Sequence, residues 1–491
     1  MRALSRKLAV AASLVGASLI AAAPASASLL QISSDPFQNP TSQHATELEP
    51  SVFASGNTLV AAFQSGRYVD GGASGIGYAR SANGGRTWTK GFLPKITVFQ
   101  GGGTYQRVSD AAVGYDARHR VWMTATLPIT SSNAAPAILV SRSTNGGATW
   151  GKPVVVASNS DQNIDKPWVV CDNTATSPYY GHCYVTYDDT GHSDDLESAT
   201  STDGGLTWSS SVTPGGGAVT GFGGQPLVQP NGTVIVPVTD CCLFSGVGLI
   251  LDYESTNGGA SWTSPLAHIV VLTHVVAGPM RGSEAPSAQM DHSGRLYAAW
   301  QDCRFRAGCR SNDIVYSTTA DGVNWTPVKR IPIDARTSTV DHFIPTLAVD
   351  PATSGSTAHL ALTYYFFPKA NCTYLTCQLE VGYVSSADGG AHWTHAVTLA
   401  GPMSLTWLAA TTQGFMVGDY AGMAFSGGTP HPVFAAAQPP IRGHFRESMY
   451  TWTGLRAPAR DRATVASGTG TRLSTGPLVR GLSALTPLTH R

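Results

Sequence analysis

Short apolar runs separated by polar, glycine-rich turns recur along most of the chain. Seven stand out: TLVAAFQ (58–64), VWMTATL (121–127), CYVTYDD (183–189), TVIVPVT (233–239), LYAAWQD (296–302), LALTYYF (360–366) and PVFAAAQ (432–438). Each is rich in β-formers and bounded by turn residues, as a buried strand is. A polar cluster opening a shorter strand precedes each run. These clusters are Glu49-Pro50-Ser51, Asp110-Ala111-Ala112, Lys166-Pro167-Trp168, Gln225-Pro226-Leu227, Glu284-Ala285-Pro286, Ile344-Pro345-Thr346 and Asp419-Tyr420-Ala421. A third strand leads into a glycine turn and a fourth leaves it, as in ITVFQ (96–100) or PVVVA (153–157).

The glycine turns share a motif. Ser143-Thr144-Asn145-Gly146-Gly147-Ala148-Thr149-Trp150 returns as SANGGRTW (81–88), STDGGLTW (201–208), STNGGASW (255–262) and SADGGAHW (386–393). A shorter copy, TADGVNW, stands at 319–325. The copies start roughly 55–65 residues apart, a period that marks a repeat architecture. The Asn or Asp bonds the backbone ahead of it, and the glycines supply φ > 0. The pattern S-x-[DN]-x-G-x-[ST]-W resembles the Asp-box of sialidases and related propeller glycosidases. The fold class is therefore all-β, a propeller of four-stranded blades. Counting units gives seven blades, with six as the fallback if one unit is an insertion. The last unit (419–455) has three strands, and Leu29–Ser33 is the strand it lacks. That N-terminal strand is expected to close the ring, because no four-stranded sheet buries both faces alone. Sialidases are six-bladed, and this chain has Glu49-Pro50-Ser51 where family members carry an Arg-Ile-Pro element.

Composition narrows the function classes. Lys plus Arg and Asp plus Glu number 31 each among 491 residues, so formal net charge is zero. Nucleic acid is excluded as a partner, because phosphate binding needs a basic stripe. Residues 1–27 read as a signal peptide: Arg2, Arg6 and Lys7, an apolar run Leu8–Ala23, then Ala25-Ser26-Ala27. The expectation is a secreted monomer without a membrane span. Export permits disulfides, and the cysteines form local pairs: Cys171/Cys183, Cys303/Cys309, Cys372/Cys377 and the adjacent Cys241/Cys242. The adjacent two bridge each other or pair elsewhere. Zinc spacing is absent, and the reading is no metal and no cofactor. Calcium at Asp188, Asp189, Asp194 and Asp195 is the weaker alternative to a solvated acidic loop. The propeller spans 28–455, and residues 456–491, rich in Ser, Thr, Gly and Pro, read as disordered.

Strand order then locates the chemistry. The box turns lie on one face, and the 2–3 loops and blade crossings on the other. Ionic residues recur on that second face, where loops on a rigid scaffold carry function. The resemblance to sialidases implies a glycan substrate and three kinds of group. Tyr420 would be the nucleophile, Glu284 the base that takes its proton, and Asp110 the acid/base. Arg67, Arg281 and Arg304 would clamp a sugar carboxylate in bidentate forks. Glu49, Asp165, Lys166, Asp302, His342 and Asp419 complete the expected substrate-binding set. Two rival readings use the same face. One is a lyase acting on uronates, with His342 or Tyr420 as base. The other is a carbohydrate-binding module without turnover.

Overall fold

The computed structural model describes residues 28–158, 163–192, 194–216, 221–240, 247–263, 266–282 and 285–459. The expected leader, Cys241, Cys242, Glu284 and most of the expected tail lie outside them. The architecture is all-β, built from antiparallel sheets of propeller-blade type. The first unit is Gln43–Ser55, Thr58–Arg67, Ala73–Ser81 and Thr89–Phe92; the second is Arg107–Asp116, Val121–Ile129, Ala137–Ser143 and Val154–Ser158. The third pairs Ile164–Cys171, Cys183–Asp189 and Asp195–Ser201, with an isolated bridge from Ser198 to Val212 in the fourth-strand position. Three four-stranded sheets follow, running from Leu227 to Leu272, Ser287 to Arg330 and Asp341 to Ser404. The last sheet is Gly422–Ser426, Thr429–Ala437 and Glu447–Thr453, and Ser28–Gln31 pairs with Glu447–Thr453 as its fourth strand.

Core residues lie between consecutive sheets. Val60, Ala62 and Ile76 of the first unit pack on Val108, Val113 and Trp122 of the second. Val140 of the second packs with Val169 and Val185 of the third, and Tyr184 with Val236 and Tyr253 of the fourth. The largest cluster joins the sixth sheet (Phe343, Phe367, Leu379) to the last (Phe434, Met449) and to Leu48 and Phe63 of the first. Each sheet thus buries both faces against its neighbours, as an alternation of apolar strands requires.

The box turns cement neighbours. In the second unit Asn145 Oδ1 accepts from Ser143 Oγ (2.9 Å) and Thr149 N (3.0 Å), and its amide donates to Thr149 Oγ1 (2.8 Å). The second glycine of the box, Gly147, has φ 79° and sits where a Cβ would come within 2.6 Å of Val60 in the preceding unit. Gly205, Gly259 and Gly390 abut Met123, Tyr184 and Tyr316 in the same way, and Gly85 of the first unit abuts His431 of the last. Only glycine combines this backbone with this approach.

One expected strand is displaced. ITVFQ (96–100) is a loop, and Thr89–Phe92 is the outer strand of the first unit. The strand forms directly after the box turn, while Thr97 is held by a bond from its hydroxyl to Ser74 O (2.6 Å). A small hairpin, Ala409–Thr411 with Gly414–Met416, stands outside the repeat. Disulfides join Cys171–Cys183, Cys303–Cys309 and Cys372–Cys377.

Candidate active site

The first strand of a unit positions the site. In four units its ladder slips, between Leu48 and Ser51, Ser109 and Ala112, Asp165 and Trp168, and Phe343 and Thr346. At each slip one residue takes a left-handed backbone: Glu49 (φ 58°), Asp110 (φ 49°), Lys166 (φ 50°) and Ile344 (φ 48°). These are β-bulges, which re-aim a side chain out of the sheet. Proline follows Glu49, Lys166 and Ile344, and at a bulge its missing N–H costs the ladder nothing. Such a backbone at a non-glycine residue costs roughly 1–3 kcal/mol. In the sixth sheet the bulged residue is apolar and joins the core, so among the described residues the charged bulges come from the first three units.

Lys166 is the hub of the charged set. Its ammonium lies 2.7 Å from Asp419, 3.6 Å from Asp110 and 3.8 Å from Glu49, and all four side chains are buried. Arg281 grips Asp419 with two nitrogens, Nε at 2.7 Å from Oδ1 and Nη2 on Oδ2. The Asp419 amide donates to Glu49 Oε1 (3.0 Å). Gln64 bridges Glu49 and Arg67, donating to the first and accepting from Arg67 Nη1 at 2.7 Å. Arg67 is 4% exposed, and its Nε has no hydrogen-bond partner among the described residues.

These contacts divide the carboxyls by protonation. Burial pushes Glu49 up to about 8, with Lys166 opposing and Asp110 and Asp419 adding to the rise. Burial likewise lifts Asp165 to about 7 against the pull of Lys166. Asp110 is also desolvated, but Lys166 and hydrogen bonds from Asp165 and Glu49 outweigh this and hold it below the ordinary range. Asp419 is desolvated too, yet Arg281 and Lys166 hold it far below. At neutral pH the trio Glu49–Asp110–Asp165 is thus an ionised carboxylate between proton carriers.

Glu49, Asp110, Asp165, Lys166, Arg67 and Arg281 line one cavity of about 250 Å³. Leu127, Ile129 and Met416 supply apolar wall, and Asp70, Asn133, Asn163 and Gln413 supply further polar groups. Asn133, Asn163 and Gln413 do not stand out in the sequence. The three amides carry no charge to stand out against the repeat, and Gln413 belongs to the extra hairpin. Asp70 is on the rim, paired with Arg107 at 2.8 Å.

Other expected residues sit elsewhere. Tyr420 packs edge-on against Trp168 (5.2 Å between centroids) and lines a separate cavity of about 10 Å³ with Phe222. Its hydroxyl is buried with no hydrogen-bond partner among the described residues, and burial, followed by the surrounding carboxylates, pushes the phenol well above its ordinary value. Arg304 folds back on Asp302 (Nε–Oδ1 2.8 Å), whose other oxygen accepts from Trp300 Nε1 at 3.1 Å. His342 is buried between Tyr364 and Phe366, with Nδ1 3.1 Å from Asn312 O, and burial lowers it to about 4. Glu284 lies outside the described residues.

Among the described residues one group has metal-ligand chemistry: Asp313, Asp334 and His342, with ligand atoms within 4.8 Å of one another. Arg306 Nη2 sits 2.6 Å from both carboxylates, and Arg330 Nη2 2.8 Å and 2.6 Å from them. The two guanidinium groups already neutralise the acids a cation would need. Also among the described residues, no helix is long and apolar enough to cross a membrane.

Residues 129–345 match the BNR repeat-like domain family. No curated protein matches the sequence. Solved structures similar to this chain differ in what they do. The intramolecular trans-sialidase from Ruminococcus gnavus is 14% identical over 68% of this chain and 93% of its own, with a TM-score of 0.45. An α-L-arabinanase from Penicillium chrysogenum is 13% identical over 70% and 92%, at 0.44. A polysaccharide lyase, the PL25 ulvan lyase, is 11% identical over 86% and 95%, at 0.49.

Proposed function

We propose that this protein is a secreted glycoside hydrolase that cleaves a glycosidic bond beside an acidic sugar. We infer with it a ring of seven blades, closed by Ser28–Gln31 as the outer strand of the last. The observation that carries the reading is one cavity lined both by Arg67 and Arg281 and by the hydrogen-bonded carboxyls Glu49, Asp110 and Asp165. The two guanidinium groups match a sugar carboxylate. Asp165, only part-buried, is assigned as the acid that protonates the leaving oxygen as the C–O bond breaks. Water adds its hydroxyl to the sugar carbon and returns its remaining proton to Asp165, while Asp110, already ionised, stabilises the positive charge that develops on the sugar.

Two observations favour this over the alternatives. A tyrosine-nucleophile route needs a phenol that ionises, and the Tyr420 hydroxyl is buried among carboxylates that oppose ionisation. The lyase reading takes His342 or Tyr420 as its base, and neither lines the cavity. A binding module without turnover would release no sugar.

The test is a glycan-panel incubation read for released sugar and for ultraviolet absorbance. Hydrolysis is expected, without an unsaturated product. Asp165→Asn is expected to lose 10²–10⁴-fold in kcat and Tyr420→Phe to stay within a few-fold of the parent. Full activity in Asp165→Asn overturns the assignment. Export is checked by N-terminal sequencing of the secreted chain, expected to begin near Ser28.

A further inference from the structure

We propose that the loops of the fifth and sixth units on the cavity side form a docking rim for an extended, carboxylate-bearing polysaccharide. This rests on the glycan reading above and adds the form of the substrate: a polyanionic chain held outside the cavity as well as within it.

Three segments build the rim: 302–312, 331–340 and 367–377. They are fastened to one another. Arg306 Nη1 donates to Ala335 O (2.9 Å) and Ser338 O (3.0 Å), and Ala370 N donates to Thr339 O (2.9 Å). Disulfides Cys303–Cys309 and Cys372–Cys377 close the two outer loops. Little ordering entropy is then left for binding to overcome.

Each segment presents one exposed cation, namely Arg310, Arg336 and Lys369. None of the three is ion-paired with another described residue. The acids nearby are withdrawn from solvent: Asp302, Asp313 and Asp341 are 0%, 1% and 0% exposed. Asp334 is held by Arg306 and Arg330, and Glu380 is half-buried on the strand behind. In a chain of zero net charge, this rim is locally all positive. The same loops also expose apolar surface. Tyr374 and Leu375, in the second disulfide loop, are 47% and 69% exposed. The Arg336 guanidinium lies 5.3 Å over the Phe305 ring. Exposed cations and aromatics carried by the same fastened loops suit a sugar chain, whose rings have apolar faces and whose acid groups recur along its length. Three cations are too few for a nucleic acid, whose binding draws on roughly 6–10 phosphate contacts.

The rim also leads to the cavity. Gly278 lies against Cys377 of the second loop. The same segment reaches Arg281, whose amide donates to Phe415 O (2.8 Å) and whose side chain lines the cavity.

Affinity electrophoresis of the full chain through gels containing polygalacturonate tests this, with dextran as the neutral control and a DNA oligonucleotide as competitor. Retardation by polygalacturonate is expected to weaken with salt, and dextran to have no effect. The combined variant Arg310→Ser, Arg336→Ser, Lys369→Ser is expected to bind at least tenfold more weakly with an unchanged circular-dichroism spectrum. Should it misfold, the three single variants and Tyr374→Ala are read instead, each expected to weaken retardation. Unchanged binding in the variants, equal retardation by dextran, or displacement by the oligonucleotide at equal charge overturns the proposal. A chain that binds through these loops yet releases no sugar upholds this rim and overturns the hydrolysis proposed above.

Discussion

At the residue scale, the informative quantity is where protons sit. Asp165 near 7 and Glu49 near 8 hold protons that exposed carboxyls have lost by that pH. Hydrolysis that uses Asp165 as its acid is expected to fall as pH rises through about 7; a pH profile of kcat checks this limb. A second buried acid tests stability. Glu47 is 1% exposed, its Oε1 has no hydrogen-bond partner among the described residues, and burial lifts it to about 7 from an ordinary value of 4.5. Across that window the folded chain keeps a proton that the unfolded chain gives up. Its contribution to stability therefore falls as pH rises, and is fully lost above about 7. Glu47→Gln is expected to flatten the decline in Tm between about pH 5 and 8, measured by calorimetry. The charged residues near the site could be read from the sequence because a chain so poor in charge makes each one conspicuous. Their protonation could not, because it depends on partners from other units.

At the scale of the element, two devices repeat. The box turn is local: its hydrogen bonds join residues at most four apart, so its motif is legible in one line of sequence. Asn145→Ala removes an acceptor of two of those bonds and is expected to cost about 1–2 kcal/mol in urea unfolding. Activity should not change, since the box is far along the blade from the bulge. The bulge is the opposite case. Glu49, Asp110 and Lys166 stood out as charges at equivalent repeat positions. That each lies on a left-handed residue in a slipped ladder follows from cross-strand register, which no local pattern writes down.

At the scale of the whole molecule, Lys166 ties together segments distant in sequence: Glu49, Asp110 and Asp419 all meet its ammonium. Removing one partner of a buried charge network leaves the others uncompensated. Lys166→Met is expected to destabilise by about 3–5 kcal/mol, read as a lower urea midpoint. The loss should shrink at acid pH, where Asp110 and Asp419 approach protonation.

The sequence by itself determined the repeat, the β class, the box turns and the face on which charge collects. Those follow from periodicity and from hydrogen bonds between near neighbours. Tertiary structure alone decided which charges share a cavity. Arg67 and Arg281 reach it, whereas Arg304 is captured by Asp302 two residues away and His342 by the aromatic pair beside it. The reason is that a side chain's partner is whatever lies nearest in space, and repeat position fixes only the loop from which it starts.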